Sequence, residues 1–198
     1  MPGKYGGGQD PYRYPDSGVL RNLLNIHDEN LLQEAERELS EIAACTLRLL
    51  PPPYDLSFFQ LIHKTLFSDV YEWAGELRTV NIQKDDTLFC TAERIVPEAE
   101  KIFRVMEKAS WFTGVSKADL VVNIAEAYGD LNVIHPFRDG NGRAQRILFE
   151  HIIINAGFSV DWWLVDIADW VPANIDAVAC DYRGLEAIFR RCIGKPSR

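Results

Sequence analysis

Apolar residues recur every three or four positions through most of the chain, a pattern that predicts successive amphipathic helices. Leu31, Leu32, Ala35, Leu39, Ile42, Ala43 and Leu47 fall at helical spacing behind Asp28, whose carboxylate can accept the first free backbone N–H groups. Pro51-Pro52-Pro53 ends that segment. Asp55 can cap a second helix, through Phe58, Phe59, Leu61 and Ile62 toward Phe67. Pro97, a favourable first-turn residue, opens a third that runs to Ala109. Ser116 with Asp119 starts a fourth, through Val121, Ile124, Ala125, Tyr128 and Leu131. A fifth spans about Gly142 to Ala156 and stops at Gly157, and one or two more lie between Trp162 and Ile193.

One stretch breaks the rhythm. Arg78-Thr79-Val80-Asn81-Ile82 is β-branched and alternating, Lys84-Asp85-Asp86 interrupts it, and Thr87-Leu88-Phe89-Cys90-Thr91 resumes it. That reads as a short hairpin, so the expected fold class is all-α with one small β-hairpin. Residues 1–18, rich in Gly, Pro and Tyr and without periodicity, predict a flexible N-terminal arm, and 19–198 a single domain.

Composition narrows the function classes. A chain of 198 residues, 47% apolar and 25% charged, can bury a substantial core. Its net charge of -8 argues against a general nucleic-acid surface, yet a few local arginines can still bind phosphate. No apolar run approaches the roughly 20 residues that span a bilayer, and the N-terminus lacks the apolar stretch of a signal peptide. The expected setting is the cytoplasm, with neither membrane nor nucleic acid as partner. Cys45, Cys90, Cys180 and Cys192 form no C-x-x-C pair and are expected reduced and mostly buried.

The chemistry concentrates in the loop 135–146, between the fourth and fifth helices. Gly140-Asn141-Gly142 offers glycines free to take positive φ and an Asn that tolerates it, so successive N–H groups can turn inward as an anion nest at a helix N-terminus. Arg143 and Arg146 stand in the first turn of that helix, where an unpaired cation is disfavoured by roughly 0.3–1 kcal/mol. Two cations there imply an anion, and forked guanidinium donors suit a polyphosphate. Asp139 is a hard oxygen ligand within reach of the same phosphates, as a phosphate-bound Mg²⁺ requires. His135 is neutral at cell pH and can take a proton from a hydroxyl, while Phe137 reads as a buried anchor. The segment lacks the Walker pattern, and no strand precedes it as a dinucleotide-binding fold requires.

His135 through Arg146 resembles the signature of Fic-domain proteins, H-x-F-x-[DE]-G-N-G-R-x-x-R, at every defined position. Ile62-His63-Lys64, Trp73-Ala74-Gly75 and Arg78 to Ile82 resemble the segment that leads into the family's flap, so the likeness runs from Leu56 to the C-terminal helices. It implies a helical domain with a hairpin flap, here about 78–91, that transfers AMP from ATP to Ser, Thr or Tyr hydroxyls of proteins. It makes His135 the base, Asp139 the Mg²⁺ ligand, Gly140, Asn141 and Gly142 the anion hole, and Arg143 and Arg146 the holders of the outer phosphates. Lys84 and Thr87, at the flap turn, would touch the nucleotide, although Lys84 reads equally as a solvated turn lysine. Trp170 is either an adenine-pocket wall or a core residue, and His63 and His151 read as structural.

The flap would bind an extended piece of target protein by strand addition. Chains of this size resemble the toxin halves of toxin–antitoxin pairs, several of which modify the B subunit of a type II topoisomerase. Many relatives restrain themselves with a helix bearing [ST]-x-x-x-E-[GN], whose Glu pairs with the loop's second arginine, Arg146 here. The nearest approach in this chain is Ser68 with Glu72, but Trp73 follows, so a small antitoxin acting in trans against Arg146 is expected. Two other readings stay open: transfer of a different phosphate-containing group, and a non-catalytic nucleotide-binding interaction module. Tyr5, Tyr12 and Tyr14 are candidate sites of self-modification, or else pack the arm onto the domain.

Overall fold

The computed structural model describes residues 10–84 and 87–196. Its helices are α1 (Glu29–Ala44), α2 (Leu56–Phe67), α3 (Ile95–Lys108), α4 (Lys117–Ile134), α5 (Asn141–Asn155), α6 (Ile167–Asp176) and α7 (Arg183–Cys192). The hairpin is β1 (Gln83–Lys84) with β2 (Thr87–Leu88), and β3 (Phe158–Val160) pairs antiparallel with β4 (Ile193–Pro196). This second ribbon was not expected from the sequence.

Local chemistry explains the helix starts. The Asp28 carboxylate accepts from the N–H groups of Asn30 and Leu31 at 3.0 and 2.9 Å. Asp55 accepts from Phe58 N–H at 2.7 Å, and Ser116 Oγ from Asp119 N–H at 3.2 Å. Helices α4 and α5 form the centre; α3 and α7 pack on α4, α2 packs on α5, and α1 covers α2. Ile124, Leu131, Leu148, Phe149, Ile152 and Phe189 are fully buried between them. Each such side chain contributes about 1.5–3 kcal/mol of apolar burial, so the pair α4–α5 is a rigid base for the loop that joins it. Among the described residues no helix is long and apolar enough to cross a membrane.

Four expectations need correction. First, α1 buries a mixed stripe rather than an apolar one: Leu32, Glu36 and Ser40 are buried and Leu39 and Ala44 pack half-buried on the core, while Leu31 and Ile42 stay 58% and 67% exposed. Glu36 and Ser40 turn inward because Arg143 stands opposite them, as shown below. Second, paired strand is confined to Gln83–Leu88 and Lys84–Thr87, with Arg78 to Ile82 outside it. The Arg78 guanidinium is buried and donates to the carbonyls of Val80, Cys90, Ile134 and His135, so this segment is tied to the loop rather than to a strand. Third, of the cysteines only Cys192 is buried; Cys90 is half-buried, and Cys45 and Cys180 are exposed because they sit at helix ends.

Fourth, the chain from Asp10 onward does not stand off the domain. Tyr12 packs edge-on against Trp73 and shares a hydrogen bond with Thr79, while Tyr14 stacks on His27 at 4.0 Å and donates to the Asn22 carbonyl. Packing, rather than display for modification, is what these two rings do. Tyr5 and the rest of the expected arm before Asp10 lie outside the described residues.

Candidate active site

The loop leaves α4 through His135, a non-glycine residue at φ 46° and ψ 61°. This left-handed step turns the ring over the last turn of α4, where Nδ1 donates to the Asn132 carbonyl at 3.1 Å. A carbonyl only accepts, so Nδ1 carries the hydrogen and Nε2 keeps its lone pair. Phe89, just past β2, stacks on the ring at 3.9 Å. Burial is the main force on its basicity: together with Arg78 and Lys84 it outweighs the hydrogen bond to the Asn132 carbonyl and the charge of Asp139, and pushes the pKa down to about 4. The imidazole is therefore neutral at pH 7, with one nitrogen ready to accept.

The loop is held by its own side chains and by distant ones. Asn141, 2% exposed, accepts from Phe137 N–H and donates to the Phe137 carbonyl, both at 2.8 Å. Arg138 is fully buried in an ion pair with Asp10. Phe137 is fully buried too, stacked on His63 at 3.9 Å and edge-on to Phe59. His63 then reaches the chemistry directly. Its Nδ1 accepts from Gly75 N–H, which leaves Nε2–H to donate to the Asp139 carbonyl, each at 2.9 Å. His63 is structural as expected, but its partner is the loop itself, a tie that the sequence did not disclose.

Gly140 and Gly142 are glycine for different reasons. Gly140 sits at φ 74°, and a Cβ there would lie 2.4 Å from the Phe67 ring. Gly142 is helical and faces open space, so a Cβ would project into the cavity. Only Gly140 uses the left-handed freedom expected of the trio, because Asn141 already begins α5 and spends its amide bracing the loop. No side chain caps α5, so the N–H groups of its first turn face the cavity with the helix dipole behind them.

The cavity holds about 440 Å³, a size that accommodates a nucleotide. It brings together every site residue expected from the sequence: His135, Asp139, Gly140, Asn141, Gly142, Arg143, Arg146, Lys84 and Thr87. Trp170 lines it as well, half-buried, with Val171, Asn174 and Ile175 of the same helix α6. Tyr128, Asn132 and Phe89 complete the wall and were missed. Asn132 and Tyr128 lie one and two turns before His135 on α4, which was the available signal. The two arginines differ: Arg143 pairs with Glu36, whereas among the described residues Arg146 meets no carboxylate.

A neutral histidine that accepts at Nε2, an uncapped helix N-terminus and two arginines in one cavity define a phosphate-transfer type of site. The sequence model of the Fic/DOC family matches residues 53–153, and the chain belongs to that family. It is 36% identical over 195 residues to the protein named probable protein adenylyltransferase Fic of Escherichia coli K12, covering 98% of both chains. It is 34% identical over 190 residues to protein adenylyltransferase VbhT of Bartonella schoenbuchensis, covering 95% of this chain and 40% of that protein. Among solved structures, BepC of Bartonella tribocorum with bound AMPPNP superposes with a TM-score of 0.88 at 26% identity, over 94% of this chain and 97% of that one.

The two neutral histidines make the fold acid-sensitive. His63, fully buried, is also pushed by burial from its ordinary 6.5 down to about 4. In the unfolded chain both rings take a proton near pH 6.5, whereas folded they resist until about pH 4. Stability is therefore present above pH 6.5 and is lost as the pH falls through that window, by about 2 kcal/mol per ring at pH 5. Denaturant midpoints measured between pH 7 and 5 should fall accordingly; a flat profile would contradict the neutral assignment.

Proposed function

We propose that this chain is a protein adenylyltransferase that moves AMP from ATP onto a Tyr, Thr or Ser hydroxyl of a target protein. The observation that carries the reading is His135, neutral and with its acceptor nitrogen fixed, in the same cavity as the uncapped N-terminus of α5. The hydroxyl oxygen attacks the α-phosphorus, its proton passes to His135 Nε2, and the bond from the α-phosphorus to the bridging oxygen of the β-phosphate breaks, releasing pyrophosphate. The N–H groups at Asn141 and Gly142 receive the inner phosphates, joined by that of Gly140 once it leaves the Asp139 carboxylate to which it donates at 2.7 Å, and Arg143 and Arg146 the outer ones. Asp139 near His135 favours the imidazolium as it forms. Lys84 and Thr87 line the cavity from the flap side, where they would contact the nucleotide.

The donor set fits Mg²⁺. Among the described residues no group of three or more His, Cys, Asp or Glu side chains gathers, and Asp139 presents a single hard carboxylate beside the phosphate positions. That suits a cation carried mainly by phosphate oxygens and water. Asp139 would hold it, and the ion would neutralise charge on the leaving pyrophosphate. Asp139→Ala and excess chelator should each remove most transfer; full activity in chelator would exclude a divalent cation.

The hairpin pairs only with itself among the described residues, so its outer edges can receive an extended target segment. The expected target is the B subunit of a type II topoisomerase, in the cytoplasm. Purified protein incubated with lysate and ATP labelled at the α- or γ-phosphate tests the reaction. Label from the α position alone supports AMP transfer; label from γ would mean another group moves, and no label would leave a binding module.

The control reading is an antitoxin in trans whose Glu meets Arg146. Arg146 lacks a carboxylate partner among the described residues, and Leu31, Ile42 and Leu61 leave apolar surface on α1 and α2 for such a protein to cover. Expression of the chain alone should therefore arrest bacterial growth, whereas the His135→Ala form should not. Equal growth of the two would remove the partner from the picture.

A further inference from the structure

We propose that Glu36 of α1 is a positioning residue that presents Arg143 to the outer phosphates of the nucleotide. The inference rests on the reading of Arg143 as a phosphate holder and adds what makes it competent. Arg143 donates through Nη2 to Glu36 Oε1, and through Nη1 to Ser40 Oγ at 2.9 Å and the Glu36 carbonyl at 3.4 Å. Its guanidinium lies over the Phe67 ring, 4.7 Å from the centroid. These contacts all come from behind. The side chain still lines the cavity, is 28% exposed, and uses neither Nε nor the remaining Nη hydrogens in them.

Glu36 is suited to hold rather than to follow. Its side chain is 10% exposed, and the Tyr71 hydroxyl donates to its second oxygen, so the carboxylate is fixed from both sides. A helix that buries a Glu and a Ser where its sequence offers Leu31 and Ile42 needs a partner for that charge, and Arg143 is the partner. An exposed arginine surrenders much of its rotamer freedom when it grips a phosphate. Here that freedom is already lost on folding, so binding does not have to supply it. The N-terminal helix, which contributes no side chain to the cavity wall, thus acts on the nucleotide through one arginine.

The test compares binding of Mg²⁺ with the α,β-methylene analogue of ATP and of AMP to wild type, Glu36→Gln, Ser40→Ala, Arg143→Ala and the Glu36→Gln/Arg143→Ala double variant. Glu36→Gln should weaken the triphosphate about tenfold and AMP by less than about twofold, with Ser40→Ala a smaller shift of the same pattern. In the Arg143→Ala background Glu36→Gln should add nothing. Equal weakening of both ligands, or an undiminished effect without Arg143, would reduce Glu36 to general support and overturn the proposal. Tighter triphosphate binding by Glu36→Gln would overturn it as well, by making Glu36 a competitor for the arginine. If Arg143→Ala itself weakens the triphosphate no more than AMP, the phosphate reading of Arg143 falls and takes the proposal with it; discrimination by Arg143→Ala without any by Glu36→Gln or Ser40→Ala sinks the proposal alone. Melting temperatures of all variants identify any that are misfolded, and Ser40→Ala carries the comparison should Glu36→Gln be one.

Discussion

His135→Ala should lose transfer by about 10²–10⁴-fold while keeping the fold, because it would delete the proposed proton acceptor without opening a core cavity. His135 is only half-buried, and the backbone ties around it, Arg78 to its carbonyl and to Ile134, do not use its ring. Among the described residues the ring's own hydrogen bond is to the Asn132 carbonyl and its stacking partner is Phe89. Removing a ring that the fold keeps neutral below its ordinary pKa of 6.5 even relieves part of the acid sensitivity. Target labelling and thermal melting of the same preparation separate the outcomes. A folded variant that labels its target at the wild-type rate would take His135 out of the mechanism.

Phe137→Ala has the opposite profile, a loss of stability of about 3–5 kcal/mol. Phe137 is fully buried between His63 and Phe59, and the void would open beneath the hydrogen bond from His63 to the Asp139 carbonyl. Denaturant unfolding should show the loss directly. Transfer per folded molecule should fall as well, because the loop loses the stack that orients His63. A variant as stable as wild type would mean that the ring is not the anchor it is taken for here.

The two residues show how much the sequence discloses. Loop chemistry was legible because it is local: a histidine, a carboxylate, glycines and arginines at fixed spacing meet wherever the loop folds. The caps at Asp28, Asp55 and Ser116 were legible for the same reason, each donor lying two or three residues from its acceptor. Glu36 was not. Its partner is 107 residues away, and helical periodicity alone would have given its place to the leucine and isoleucine that remain exposed. His63 read as an ordinary core residue, since nothing nearby reveals an acceptor 76 residues on. The hairpin was overdrawn because Arg78 looks like the start of a strand until the carbonyls that capture its guanidinium are placed around it.

The ties that shape the loop also set a timetable for its appearance. Asp10 waits 128 residues for Arg138, and Glu36 waits 107 for Arg143. The cavity has no far wall until α6, with Trp170 and Asn174, has been made. A chain that emerges from its N-terminus therefore carries His135 in an unwalled, loosely held loop for as long as α6 is still inside the ribosome. Contacts of such long reach also form slowly compared with the helices they join. Closure of the cavity thus waits for α6, and a nascent chain that has not yet released this helix has no finished site.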